Sequence, residues 1–391
     1  MFAVLANIRK LFLWPVIWLS MLALAACQGT TLSGGGTPGT GARDVSVALL
    51  VPRGAADPNE QRLARDLENA ARMAVSDLNG VRVDLRIYDT AGNAARAREA
   101  ALKAVGDGAR IIVGPLRDDA ARAAADAVRR RNVNVLAFSN TPTIAGGNLF
   151  ILGQSFQNTA DRLVDFAVSQ GKDRILTVFA DTGAGRLGRQ AIEQAITGNG
   201  AIPAGSVSYG FSQQAVIDAV PRIKRAAEEA DANAIFFTAN AAGALPLFTQ
   251  ILPEAGLGQD KVQYIGLTRW DTPPQTLELP GVQGGWFALP DPVRSAQFRS
   301  RFEAAFGNPP HVLSALAYDG IAAIGALAKE GGRGALSRDG LTQPAGFQGA
   351  DGVFRFTGDG INERLLAVAT VENKRVVVLS PAPTSFGRAG Y

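Results

Sequence analysis

A chain of 391 residues, 47% hydrophobic and 19% charged, holds enough apolar material for a large core in two ordinary domains or one two-lobed unit, which excludes disorder along its whole length. Its 39 basic and 35 acidic residues give a formal charge of +4, a balance with no footprint for nucleic acid. The single cysteine rules out an intramolecular disulfide.

The chain opens on a processing signal: Arg9 and Lys10, an apolar run over residues 11–25, then Leu24-Ala25-Ala26-Cys27. This is the lipobox pattern of bacterial lipoproteins, in which small residues precede the cut and the Cys27 thiolate takes the lipid. A membrane span needs about 20 apolar residues, and Pro15 interrupts this shorter run. Residues 1–26 are therefore expected to be removed and Cys27 to become a lipidated first residue, the only contact with a membrane. Gln28, where Asp would retain a lipoprotein at the inner membrane, points to the periplasmic face of the outer membrane. Loss of Arg9 and Lys10 leaves 37 basic against 35 acidic residues. Residues 27–43, rich in Gly, Thr and Pro, read as a flexible tether. The folded domain is expected over 44–380, followed by a short tail, 381–391.

From residue 45 strands and helices alternate. Residues 45–51 form a buried-strand run, and Asp57-Pro58-Asn59-Glu60 reads as an N-cap, a first-turn proline and a capping-box acid. Leu63, Leu67, Ala70, Ala74 and Leu78 follow on one helical face. Strands are predicted at 81–87, 109–113 and 133–138, with helices at 93–105 and 118–131 between them. A second series runs helix 158–169, strand 174–180, helix 187–197, strand 207–209, helix 214–230, strand 234–238, helix 241–254 and strand 262–267. Such alternation predicts an α/β fold of two lobes, each a parallel sheet with helices on both faces. The tail of the domain breaks the pattern with strands at 352–356, 365–371 and 375–379. The expected division gives the first lobe 44–154 and 287–343, and the second 155–286 and 344–380.

Gly183-Ala184-Gly185-Arg186-Leu187-Gly188 matches a dinucleotide-binding fingerprint, but the acid expected about 20 residues on is missing from the next strand, so a tight strand-to-helix turn is the better reading. With His311 as the only histidine and Cys27 as the only cysteine, Cys/His metal sites and dyads are unavailable. His311, just before a long apolar helix, reads as a helix-start residue. No enzyme activity, cofactor or metal is expected. In open parallel sheets ligands lie beyond the carboxyl ends of strands. Here those ends are Arg53-Gly54, 114–118, Ser139-Asn140-Thr141, Asp181-Thr182-Gly183 and Thr268-Arg269. Arg53, Gly54, Asp118, Ser139, Asn140, Thr141, Asp181, Thr182 and Arg269 are the candidate ligand-cleft residues.

Val113-Gly114-Pro115-Leu116, Asn134-Val135-Leu136 leading to Ser139-Asn140-Thr141, and Ala317-Tyr318-Asp319-Gly320 resemble type I periplasmic binding proteins of the leucine-binding kind, over residues 45–379. Within that fold the sequence is similar to the penicillin-binding protein activator lipoproteins, in residues 134–140, 149–153, 264–269, 279–284, 287–290, 347–352 and 360–365. Longer members of that group carry a helical-repeat domain ahead of this one, where this chain has its tether. Family members that bind amino acids hold the ligand carboxylate with a small hydroxyl residue after the Gly-Pro-Leu turn, where Asp118 stands here, and use an aromatic before a glycine where Leu187-Gly188 stands. Ser139 and Thr141 match the first-lobe binding segment. The resemblance implies one of two roles. The first is activation of a peptidoglycan synthase (a penicillin-binding protein); Arg269 and Trp270 are the expected contact, because an arginine beside a tryptophan suits an interface anchor. The second is delivery of an amino acid or other small polar ligand to an ABC permease.

Overall fold

The computed structural model describes residues 43–332 and 334–387. The signal, Cys27 and the tether up to residue 42 lie outside the described residues. Among the described residues, no helix is long and apolar enough to cross a membrane.

The first sheet is built from β1 (Arg43–Val51), β2 (Val81–Asp89), β3 (Ile111–Val113), β4 (Asn134–Ala137) and β5 (Leu149–Ile151), in the order β2-β1-β3-β4-β5 with every neighbour parallel. The unbroken apolar run of β1 has a physical cause, because successive side chains serve opposite cores. Val47, Leu49 and Val51 pack with α1 (Pro58–Asp77), while Ala48 and Leu50 pack against α2 (Ala94–Gly106) and α3 (Asp118–Val128). Asp57 caps α1 by accepting from the Asn59 amide at 2.8 Å, with Pro58 in the first turn. Glu60 differs from the capping-box expectation: its carboxylate pairs with Arg117 at 3.3 Å.

The second sheet holds β6 (Arg174–Ala180), β7 (Ile202–Tyr209), β8 (Ala234–Phe237), β9 (Gln263–Gly266) and β10 (Trp286–Leu289) as parallel neighbours. Two antiparallel strands, β14 (Ala367–Glu372) and β15 (Arg375–Ser380), complete it in the order β15-β14-β10-β9-β8-β6-β7. Helices α4 (Phe156–Ser169), α5 (Gly183–Gly198), α6 (Gln213–Glu229) and α7 (Leu245–Glu254) connect and cover its strands. Strand 174–180 matches its prediction to the residue. Helix 241–254 starts four residues late, at Leu245, after a turn in which the Gly243 and Leu245 amides both return to the Asn240 carbonyl.

The chain changes lobe three times: through 152–155, after β10, and after β13 (Asn362–Arg364). Two parts of the expected division are corrected. Residues 287–289 belong to the second lobe, since Phe287 and Ala288 fill its cores and β10 pairs with β9 and β14. Residues 347–356 belong to the first lobe. There β11 (Phe347–Gly349), β12 (Gly352–Phe356) and β13 form a small antiparallel sheet, and Phe347, Phe354 and Phe356 pack into the core shared with α1 and α9 (Ala315–Glu330). The helix α8 (Pro292–Phe306) returns the chain to that core through Phe298 and Phe302.

The last crossing is pinned by polar groups. Arg364 exchanges two backbone bonds with the Asn158 side chain of α4, at 2.9 and 3.1 Å, and the Asn362 side chain donates to the Leu152 carbonyl at 3.0 Å. The Arg364 guanidinium turns back to Asp319 of α9 at 2.7 Å, where both side chains are almost wholly removed from water.

Candidate ligand-binding cleft

On the first lobe, the strand ends hold their polar side chains in bonds internal to the protein. The Ser139 hydroxyl donates to the Asp118 carboxylate at 2.6 Å and accepts from the Thr141 amide at 3.0 Å. Arg53 is tied to Glu68, which also holds Arg72. Burial pushes the Glu68 carboxyl up, but the hydrogen bonds and charges of Arg53 and Arg72 outweigh it and leave it below the ordinary value. The Gly54 amide donates to Asp89 at 2.9 Å. Asn140 and Thr141 reach open space, on a recess of about 820 Å³ shared with Leu187, Gln190 and Phe156 of the second lobe. Asp161, on the same recess, has its carboxyl raised, chiefly by burial.

On the second lobe, a cavity of about 510 Å³ opens beyond the carboxyl ends of β6, β7, β8 and β9. Phe156, Tyr209, Phe211, Val216, Leu247 and Leu267 make its apolar wall, and Thr182, Thr238, Asn240 and Thr268 bring polar atoms to it. Phe156 and Ala184 border both this cavity and the recess between the lobes, so the two spaces adjoin. Tyr209 stands edge-on to Phe248, with ring centres 4.9 Å apart. Burial pushes its hydroxyl up to about 12, against a smaller opposing pull from Thr238.

The glycine-rich segment, expected as a turn before a helix at 187–197, lies in the first turns of α5 itself, and its glycines serve packing. A Cβ on Gly185 would stand 2.0 Å from the Ala180 carbonyl oxygen, and one on Gly188 would stand 2.9 Å from both Leu267 and Thr238. The Thr182 hydroxyl accepts from the Gly185 amide at 3.0 Å and starts α5. Asp181 is exposed and paired with Arg186 at 2.7 Å. His311 also works in chain geometry: its amide donates to Asp66 and its Nδ1 accepts from the Leu313 amide. Among the described residues, no group of three or more His, Cys, Asp or Glu is placed to hold a metal ion.

Of the candidate cleft residues, the structure thus brings Thr182 to the cavity and Asn140 and Thr141 to the adjoining recess. Arg53, Gly54, Asp118, Ser139, Asp181 and Arg269 line neither space. Tyr209, Phe211, Thr238 and Asn240 were missed, although they follow the same rule at the ends of β7 and β8. The proposed contact pair is corrected. Trp270 is fully buried, slotted where Cβ atoms on Gly266 and Gly285 would stand 2.2 and 2.0 Å from its ring, and stacked on Phe287. It is not available to a partner. Arg269 is bound bidentately to Asp271 at 2.8 and 2.5 Å. Burial lowers its pKa, and Asp271, with Asp351 farther off, more than offsets that.

Two lobes joined by three crossings, with an open space at the strand ends, define the architecture, and the sequence profile described as "Periplasmic binding protein" matches residues 44–376. The chain belongs to the periplasmic binding protein family. Its fold is the type I, leucine-binding-protein-like one. Among solved structures, a Rhodospirillum rubrum protein assigned to branched-chain amino acid ABC transport has a TM-score of 0.72 at 19% identity, covering 86% of this chain and 100% of its own. A branched-chain amino acid ABC transporter periplasmic ligand-binding protein of Burkholderia xenovorans has a TM-score of 0.68 at 17% identity, covering 87% and 96%. An ABC transporter solute-binding protein of R. palustris, in complex with benzoate, has 0.57 at 17%, covering 89% and 98%. At these identities the likeness is one of fold. No curated protein matches the sequence.

Proposed function

We propose that this periplasmic binding protein is the substrate-binding component of an ABC importer, capturing a small ligand between its lobes and presenting the closed form to a permease. The observation that carries the reading is the pair of adjoining spaces at the strand ends, bordered by Asn140 and Thr141 from one lobe and by Ala184 and Leu187 from the other. Closure around such a site brings the two lobes together by hinge motion at the crossings. The fold relatives named above are described as ABC transporter proteins. The protein works in the periplasm, held to a membrane through Cys27 and the tether of residues 27–43, and an importer role places that anchor on the membrane that holds the permease.

The reading as an activator of a peptidoglycan synthase rests on the sequence similarity alone, and the burial of Trp270 removes the aromatic half of its contact. Affinity purification of the tagged protein from detergent-solubilised membranes separates the two. Recovery of an ABC permease is expected; recovery of a penicillin-binding protein without a permease would overturn the importer reading.

A further inference from the structure

We infer that the second-lobe cavity takes the uncharged, apolar body of the ligand, an aromatic or branched aliphatic group on a molecule without a carboxylate, and that Phe211 closes over it. The inference rests on the substrate-binding reading and names the ligand class for that site.

The first observation is charge. Every one of the cavity's lining residues is uncharged, and at about 510 Å³ it falls in the size range of small-molecule sites. The arginines at the strand ends have carboxylate partners already: Arg53 with Glu68, Arg117 with Glu60, Arg186 with Asp181 and Arg269 with Asp271. The helix starts at the rim each carry one side-chain cap from within the chain. Thr182 accepts the Gly185 amide at the head of α5, and Ser212 accepts the Ala215 amide at the head of α6. On the facing lobe the Ser139 hydroxyl points to Asp118, so this small hydroxyl of the first-lobe binding segment is spent on a carboxylate. A ligand carboxylate would lose water here and find no free cationic side chain, a penalty that an alcohol or amide escapes.

The second observation is Phe211. Its ring is 89% exposed, the most exposed large hydrophobic residue described, yet it borders an apolar cavity. Folding the ring over an apolar ligand would remove both surfaces from water at once. Tyr209, Thr238, Thr182 and Asn240 leave polar atoms at the wall for a neutral hydroxyl or amide.

The test is calorimetry on the purified protein with three probes: 2-phenylethanol, phenylacetate and leucine. Phenylethanol is expected to bind at least about tenfold more tightly than phenylacetate, the equivalent of about 1.4 kcal/mol. Phe211→Ala is expected to weaken phenylethanol binding about fivefold or more, and Ala244→Trp, which fills the cavity, to abolish it. Thermal unfolding of each unliganded variant checks that it folds. Ala244 is half-buried, so Phe211→Ala at its exposed site carries the test if the tryptophan variant does not fold. Tighter binding of phenylacetate or leucine overturns the inference and leaves the importer reading standing. So does binding of none of the three, because the importer reading is decided by the permease recovered from membranes. Phenylethanol binding that neither variant changes also overturns it, since the ligand then sits elsewhere.

Discussion

Replacing Arg364 by methionine is expected to destabilise the protein by an amount that depends on pH. The Arg364 guanidinium, 2% exposed, faces Asp319, 0% exposed, and its centre lies 5.1 Å from the Phe354 ring. The contact is angled, so neither terminal nitrogen of Arg364 completes a hydrogen bond, and the Asp319 Oδ1 accepts from the Ala350 amide at 2.7 Å. Burial outweighs the charge of Arg364 and pushes the Asp319 carboxyl from 3.8 up to about 6. The fold therefore favours the protonated form: the contribution of this group is whole below 3.8 and is lost as pH rises through about 6. Arg364→Met removes the counter-charge and raises the carboxyl further, so the loss extends to higher pH. At pH 8 the variant must either bury an unpaired carboxylate or hold a proton against the solution, a defect of about 3–5 kcal/mol against a total of roughly 5–15. At pH 5 Asp319 is protonated in both proteins, and the difference shrinks to the lost cation–ring contact and packing, about 1 kcal/mol. Urea unfolding at both values measures it, with the Asp319→Asn/Arg364→Met double variant as the control that should show no such pH dependence. A defect of equal size at pH 5 and pH 8, or one that grows toward acid, would refute the reasoning.

Trp270→Ala is expected to cost about 3–5 kcal/mol of stability by emptying the slot between Gly266 and Gly285, which a urea titration reads directly. A loss below 1 kcal/mol would mean that the ring is not packed as described. Gly185→Val is expected to prevent α5 from docking against Ala180, seen as loss of soluble protein or of a cooperative thermal transition; a variant with unchanged melting would show the close approach to be dispensable. Cys27→Ala is expected to leave an unprocessed, unacylated precursor, and fatty-acid label retained by that variant would dispose of the lipoprotein expectation.

The fold was legible where one physical demand dominates a segment. Strand 174–180 reads as apolar because both its faces are buried, and Asp57-Pro58 announces α1 because a cap and a fixed φ belong together. It was illegible where pairing is decided far away. Trp286–Leu289 is four residues with no alternation, and only its bonds to β9 and β14 assign it to the second lobe. Residues 347–356 look like the neighbouring tail strands, yet their phenylalanines fill the first core rather than the second.

The site divides along the same line. That open space lies beyond strand ends is a local rule, and Thr182, Asn140 and Thr141 lie where it places them, on the cavity and the recess. Whether a side chain there is free is a matter of distant partners. Arg53 is spent on Glu68 and Arg269 on Asp271, while Phe211, unremarkable in sequence, keeps its ring in water because nothing packs on it. Asp118 belongs to both cases. Its sequence position implied a negative charge where a family relative would hold an anion, and the structure adds that its carboxylate has taken the Ser139 hydroxyl at 2.6 Å. One substitution therefore both introduces the wrong charge and engages the donor an anion would need, while the apolar cavity opposite has no charge of its own to compensate. The inference of a ligand held by its apolar body draws on both lobes, from residues that no single segment of the sequence places together.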